Sequence, residues 1–405
     1  MIIADLHTPK GKRFLFGVLA LLSAFPALST DLYMPGFLNI AREFHTNLDQ
    51  VQLTLAFNFF GLGIGQLIWG PISDRYGRRK PAIVGIGIYA LASLGCALSN
   101  SLPLLIVART IQGLCAASAV VVGRAIVRDL FEGQEMARAL ATVSSIYLIS
   151  PMLGPVLGAA ILNFSSWHFE FIVLTAVGII AIFCVARLPE TLSEGARVTT
   201  GLGAAMKDYG FILKDREFRF GALQATISSF MIFIFVGFLP AVLMEHFGLS
   251  AMGYAIVFGS NAFFMIVSTR INHRLLRNHK VAVVLRYAVI VQLVVSTLLF
   301  ALGNLTGNFW VVTVLMIASI FSCATITGNS TTLALHNFKS KAAQAGALVG
   351  VSQNSISSVF MSLVSLLPIL ALTKSLLFMW LVGLTGFVVL LLRERSQRKH
   401  GDEQI

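Results

Sequence analysis

Two charged residues lie inside long apolar runs of this sequence, where a charge is costly. Asp31 is the one charged residue between Arg13 and Arg42, and Arg109 lies about six residues, or roughly 9 Å along a helix, past Pro103. Burial disfavours a charged carboxylate and a neighbouring arginine favours it, so Asp31 has the chemistry of a group that takes up and releases a proton. The alternatives are a water-reached helix cap for Asp31 and snorkelling to the outer surface for Arg109.

The apolar runs that carry these charges predict a membrane protein. Of the 405 residues, 56% are hydrophobic and only 12% are charged, about half the charged fraction of a soluble domain. The runs are long enough to cross a bilayer as helices, so the fold class is an all-α membrane protein. We predict twelve spans, named span one to span twelve, near 14–36, 50–71, 81–99, 103–127, 137–162, 169–188, 218–243, 251–270, 281–302, 309–332, 342–369 and 373–392.

The net charge of +12 is distributed in a way that orients these spans. Basic clusters fall in alternate gaps and near both ends of the chain, while the gaps between them are nearly free of Lys and Arg. This is the positive-inside pattern, which puts both termini in the cytoplasm. Because the charge is not concentrated on one face, nucleic-acid binding is not expected.

A long polar segment divides the spans into two groups of six. We predict an N-terminal bundle at 1–188, a cytoplasmic linker at 189–217 and a C-terminal bundle with a cytoplasmic tail at 218–405. The four cysteines lie singly in apolar runs without metal-ligand spacing, so they are interpreted as packing residues.

Span one also contains a helix-breaking signal close to its acid. If the span enters the hydrocarbon near residue 16, Asp31 lies roughly 22 Å along it, a depth similar to that of Arg109. Pro35 cannot donate a hydrogen bond to the carbonyl of residue 31, so the helix is expected to open there. We expect no other acid inside a span, and we expect Asp31 to meet Arg109 if spans one and four are neighbours.

The loop after span two, "GPISDRYGRRK", has a fixed spacing of glycine, acid and base. Gly70 is expected to allow close helix approach and Gly77 to permit a tight turn. Asp74 can pair with an arginine and so latch the loop to a neighbouring element. An ordinary basic loop is the alternative. The loop resembles the signature motif of the major facilitator superfamily, which implies a conformational latch formed by Gly70, Asp74, Arg75, Gly77 and Arg78 together with Asp129.

Span five contains "YLISPMLGPVLGAAI", with two prolines and two glycines in a helical run. Pro151 and Pro155 favour kinks, and Gly154 and Gly158 make a flat face for tight packing. A kinked packing helix would account for both features. The segment also resembles the antiporter motif of drug–proton exporters in the same superfamily, with Ala159 in place of a second glycine.

Two further segments resemble motifs of that superfamily. "STDLYMPG" is similar to the helix-one motif of proton-coupled drug exporters, especially the bicyclomycin- and chloramphenicol-resistance branch, and the run from Arg109 to Gly113 is similar to the helix-four motif. The resemblance implies a major facilitator fold and proton coupling through Asp31 and Arg109. Some relatives carry a second helix-one acid where this chain has Ser23.

The resemblance as a whole implies a proton-coupled, alternating-access exporter of lipophilic drugs or antibiotics. It would be a monomer of the bacterial inner membrane, in contact with the lipid bilayer, driven by the proton gradient without a cofactor or metal, and not an enzyme. Polar and aromatic residues expected to line its cavity are Tyr33, Asn58, Gln112, Tyr147, Phe235, Asn329 and Gln353. Export of an endogenous metabolite or siderophore, proton symport and a channel are the alternative functions.

Overall fold

The computed structural model describes residues 8–197, 202–338 and 341–400, and the secondary structure in these ranges is helical. Eleven of the described helices are long and apolar enough to cross a membrane, judged by length and composition. The helix Gly133–Phe164 adds a shorter apolar stretch, Ser150–Phe164. The predicted all-α membrane architecture is therefore confirmed.

The helices follow the predicted spans closely. The main helices of the first half are Pro9–Asp31, Leu48–Tyr76, Arg79–Ala97, Leu102–Leu130, Gly133–Phe164 and Trp167–Ala186. Those of the second half are Arg216–Pro240, Ala251–Leu275, Val281–Thr306, Phe309–Leu335, the pair Ala342–Val351 and Ser357–Ser365, and Ala371–His400. A further helix, Leu202–Ile212, lies within the predicted linker.

Span one is interrupted where Pro35 predicted an opening. Its first helix ends at Asp31, a 3-10 turn spans Met34–Gly36, and a short helix, Phe37–Glu43, completes the span. The break is buried, so it lies in the packed interior of the first half and not at an exposed end. It places the carboxyl of Asp31 at the end of a helix.

The chain divides into two compact units, Met1–Lys207 and Asp208–Ile405. In the first unit, spans two and four approach very closely through glycines. A Cβ at Gly61 or Gly65 would meet the backbone of span four, and one at Gly113 would meet the carbonyl of Asn58. This contact fixes the position of span four, and hence of Arg109, against its neighbours.

The second unit is less regular than the first. Span seven ends in a π-helical segment, Ala241–His246, and span eleven is divided by another, Ser352–Ile356. Such segments are rare and mostly appear as single turns within an α-helix. Spans seven and ten are held together by Gly221, whose Cβ position lies 2.7 Å from the Ala334 nitrogen.

Candidate functional site

Arg109 of span four is completely buried against span one, with 0% of its surface exposed. Its Nη1 donates to the Ser29 carbonyl at 2.6 Å and to Gln112 Oε1 at 2.5 Å. The guanidinium carbon lies 4.2 Å from the centre of the Tyr33 ring and 5.6 Å from that of Phe171. Neutral oxygens and aromatic faces therefore surround this charge.

Three of the predicted cavity residues belong to the same polar network. The Tyr33 hydroxyl bonds Thr54 at 3.0 Å, Asn58 Nδ2 donates to the Arg109 carbonyl at 3.0 Å, and Gln112 Nε2 donates to Ser93 at 2.7 Å. All three predicted residues are buried. In this structure they hold Arg109 in place, and their role in lining a cavity stays a prediction.

Asp31 does not meet Arg109, so the expected contact is wrong. Asp31 is 5% exposed and accepts a hydrogen bond from its neighbour Thr30 at 3.0 Å. Within the described chain no ion pair joins its carboxylate to Arg109. Arg109 instead donates to the backbone carbonyl of Ser29, while the side chain of Asp31 lies against span five, with its Cβ 2.8 Å from the Cβ position of Gly154. The sequence predicts how far along a helix a residue lies, but it does not predict which neighbouring helix the side chain faces.

The face of span one that carries Asp31 packs on span five. A Cβ at Gly154 would lie 2.8 Å from Asp31 Cβ, and one at Gly158 would meet the carbonyl oxygen of Leu32. The predicted flat face of span five is therefore in contact with the break in span one. Pro151 and Pro155 lie inside the continuous helix Gly133–Phe164 and do not end it.

Glu170 is a buried acid that the sequence analysis missed. It has 0% exposure, and neither carboxyl oxygen has a hydrogen-bond partner. Its oxygens lie 3.2 Å from the Cβ position of Gly158 and 3.1 Å from that of Gly36. The expectation that Asp31 is the only acid inside a span is thus wrong. The signal was present, since Glu170 falls inside predicted span six, but an acid in a helix's first turn is also an ordinary terminal charge.

The structure brings together Asp74, Arg78 and Asp129 of the predicted latch. Arg78 Nη1 lies 2.5 Å from Asp74 Oδ1, and its Nε lies 2.8 Å from Asp129 Oδ2. Burial acts to lower the pKa of Arg78, but the hydrogen bonds and charges of Asp129 and Asp74 outweigh it and raise the pKa above its ordinary value. Thr191 also donates to Asp129, at 3.0 Å.

The turn that carries Arg78 depends on a glycine and on an acid from beyond span six. Gly77 has φ +87°, the conformation expected of a tight turn, and a Cβ there would meet the Glu190 carboxylate. Glu190 accepts hydrogen bonds from the backbone nitrogens of Arg78 and Arg79 at 2.7 and 3.1 Å. Glu190 was not predicted, because its partners are backbone groups.

Two predicted latch residues have no such contact. A Cβ at Gly70 would meet nothing within 4 Å, so the expectation that Gly70 permits a close helix approach is wrong. Arg75 is exposed and stacks over the Tyr76 ring at 5.4 Å instead of joining the acidic cluster. Both residues lie on a side of the helix that is not packed against a neighbouring helix of the described chain.

In the second unit the predicted cavity residues bridge helices. Asn329 and Asn272 exchange amide hydrogen bonds at 3.0 and 3.2 Å. Phe235 is buried and stacks on Phe258 with centroids 6.3 Å apart. Gln353 lies in the second π-helical segment and donates to Thr331 at 3.4 Å. The remaining predicted residue, Tyr147, has a side chain outside those the structure describes.

Comparison with known proteins supplies the context for this geometry. A sequence model of the Major Facilitator Superfamily matches residues 19–362. The chain is 34% identical over 369 residues to the uncharacterized MFS-type transporter YdgK of Bacillus subtilis (strain 168), covering 89% of this chain and 91% of that protein. It is 28% identical over 348 residues to the bicyclomycin resistance protein homolog of Haemophilus influenzae (strain ATCC 51907 / DSM 11121 / KW20 / Rd), covering 86% and 87%.

Another relative is the multidrug resistance protein MdtM of Escherichia coli (strain K12), which is 30% identical over 293 residues, covering 71% of this chain and 70% of that protein. Among solved structures, the crystal structure of a D-xylose-proton symporter aligns with a TM-score of 0.73 at 13% identity, covering 94% of this chain and 96% of that one. At this identity the structural match shows the fold alone.

Proposed function

The chain belongs to the Major Facilitator Superfamily, and from that premise we propose that it is a proton-coupled exporter of lipophilic drugs or antibiotics that works by alternating access. It is a multi-pass membrane transporter and not an enzyme. Relatives named for multidrug and bicyclomycin resistance support the choice of cargo class.

The observation that carries the proposal is the position of Asp31. The carboxyl is buried at the point where span one breaks, against a glycine face of span five. Burying an ionisable carboxyl inside a membrane-spanning segment costs free energy that an apolar side chain would not. An acid in this setting therefore indicates a functional role. The broken helix gives the carboxyl a segment that can move relative to the rest of span one.

Proton and cargo would then compete for one state of the carrier. A proton arriving from the outside neutralises Asp31 and weakens cargo binding, and cargo leaves to the outside. The empty protonated carrier turns inward and releases its proton to the cytoplasm. This cycle needs only linkage between the two binding events, with no covalent step.

Arg109 has a positioning role in this proposal. Its guanidinium is held by the Ser29 carbonyl, two residues before the end of the helix that carries Asp31. Arg109 thereby holds this part of span one against span four without forming an ion pair with Asp31. A movement of span one would break this contact.

The wider arrangement follows the same proposal. Bundles at residues 1–188 and 218–405, joined by a linker at 189–217, would carry out the alternating access. The contacts of Arg78 with Asp74 and Asp129 would stabilise one of the two states. The protein would act as a monomer in the bacterial inner membrane with both termini in the cytoplasm, and would be powered by the proton gradient.

Transport by purified protein in proteoliposomes with an imposed pH gradient tests the proposal. A panel of lipophilic antibiotics serves as cargo, and a pH-sensitive dye reports proton movement. We expect Asp31→Asn to abolish uphill transport because the variant cannot exchange a proton. Glu135→Gln is the matched control, since Glu135 lies in the same unit, 57% exposed, in an ion pair with Lys12. Full uphill transport by the Asp31 variant would refute the proposed proton site, and cargo-independent current would indicate a channel.

A further inference from the structure

We propose that Glu170 is a second proton-binding carboxyl of this transporter, which is exposed when the break in span one moves. The inference rests on the proposed proton-coupled function and extends it from one acid to two. It concerns a residue on span six, a helix to which the transport cycle above assigns no group.

The surroundings of Glu170 favour its neutral form. Its side chain is fully buried, and neither oxygen has a hydrogen-bond partner. An ionised carboxylate without a donor or a counter-ion would be strongly destabilised in such a place. Glu170 lies in the first turn of span six, where the helix N-terminus favours a negative charge, but a structural carboxylate there would normally also accept a hydrogen bond or pair with a base, and Glu170 does neither. The state described here is therefore one in which Glu170 carries a proton.

The charged and titratable groups around Glu170 do not replace that proton. The buried titratable residues of spans one and three include Asp31, Tyr33, Tyr89 and Cys96, and none of them donates a hydrogen bond to Glu170. Span four presents Arg109, whose guanidinium carbon lies 5.6 Å from the centre of the Phe171 ring on span six, and Arg109 makes no hydrogen bond to Glu170. The described charged residues of span five, Glu135 and Arg138, lie near its opposite end.

The short helix after the break contributes Glu43, which is engaged elsewhere. Glu43 Oε2 accepts a hydrogen bond from Trp167 Nε1 at 2.7 Å, and its Oε1 lies 3.4 Å from His168 Nε2. Glu43 thus ties the segment after the break to the start of span six. Its contacts leave Glu170 without a charge partner.

The position of Glu170 couples it to the moving part of span one. Its two oxygens face Gly36, in the 3-10 turn of the break, and Gly158, on the glycine face of span five. Because neither glycine has a side chain, the carboxyl fills the space between the break and span five. Any displacement of the break from span five opens this space and lets water reach Glu170, where it can lose its proton.

The same geometry does not fit a metal ion. Hard cations take six or more oxygen ligands, whereas Glu170 supplies two oxygens and the Leu32 carbonyl, which meets the same Cβ position of Gly158, adds one. In the described part of the chain no group of three His, Cys, Asp or Glu is placed to hold a metal. A proton needs only one oxygen.

Proton release on cargo binding tests the proposal directly. Purified protein in lightly buffered detergent receives bicyclomycin while a pH dye reports the protons released. We expect wild type and Glu135→Gln to release about one proton more per cargo than Glu170→Gln or Asp31→Asn, and the double variant to release none. Equal release by wild type and Glu170→Gln would overturn the proposal. No release by wild type would count against the proposed proton-coupled function, and the next measurement then decides Glu170 independently.

That measurement uses the wild-type protein and needs neither cargo nor a variant. Dicyclohexylcarbodiimide adds to protonated carboxyls in apolar surroundings, and mass spectrometry locates the N-acylurea formed. We expect Glu170 to be labelled at neutral pH and exposed Glu135 to remain unlabelled. Absence of label on Glu170 at neutral pH and below would overturn the proposal, even if the variants prove unstable.

Discussion

The contact between spans one and five can be tested by adding one methyl group. In Gly158→Ala the new Cβ would lie 2.9 Å from the Leu32 carbonyl carbon and closer still to its oxygen, whereas ordinary contacts begin at 3.4 Å. Both obstacles are backbone atoms, so the helices must separate by at least about 0.5 Å. Overpacking of this kind costs about 1–3 kcal/mol, and part of that is lost dispersion along the interface.

Thermal unfolding of the purified protein measures this cost. At roughly 2–4 °C per kcal/mol, Gly158→Ala should lower the Tm by several degrees, and transport should fall because the break is displaced. Gly17→Ala is the matched control on span one. Nothing lies within 4 Å of its Cβ position, so that variant should unfold at the wild-type temperature or slightly above it. Equal Tm values for the two variants would refute the tight packing of spans one and five.

Further variants test one polar contact in each unit. Asp129→Asn should lower the unfolding free energy by about 1.5–3 kcal/mol, because it weakens charge-assisted bonds to buried Arg78. The control Glu194→Gln, in an exposed ion pair, should lower it by under about 1 kcal/mol. Equal losses of the two variants in thermal unfolding would contradict this expectation. Asn272→Ala and Asn329→Ala should each lower the unfolding free energy by about 1–3 kcal/mol. In a double-mutant cycle, the double variant should lose less unfolding free energy than the two single variants together. Strict additivity would contradict the reciprocal amide contact.

The helices and the break in span one could be predicted because they depend on local sequence. Apolar length sets where a helix can cross a membrane, and Pro35 removes a particular backbone donor, so the end of the helix at Asp31 followed from the residues alone. The positive φ of Gly77 followed in the same way from its place in a tight turn.

The contacts of the site could be predicted only in part, because they depend on how helices are rotated. The resemblance of the loop after span two implied that Asp74, Arg78 and Asp129 meet, and in the structure Arg78 pairs with both acids. The partner of Arg109 depended on whether Ser29 or Asp31 faces span four. The depth of a residue in the membrane, which the sequence predicts, does not determine this. The burial of Glu170 depended on the folded break covering the start of span six.

The contacts of Glu190 bear on where this chain could be cut into two separately expressed pieces. The sequence places the end of the first bundle at residue 188, but Glu190 holds the backbone of Arg78 and Arg79, and Thr191 bonds Asp129. A fragment ending at 188 would lose the acid that closes the turn after span two. A fragment ending after Arg197 would keep this acid. The first half, as a working unit, therefore extends into the segment at 189–217 that the sequence predicts to be a linker.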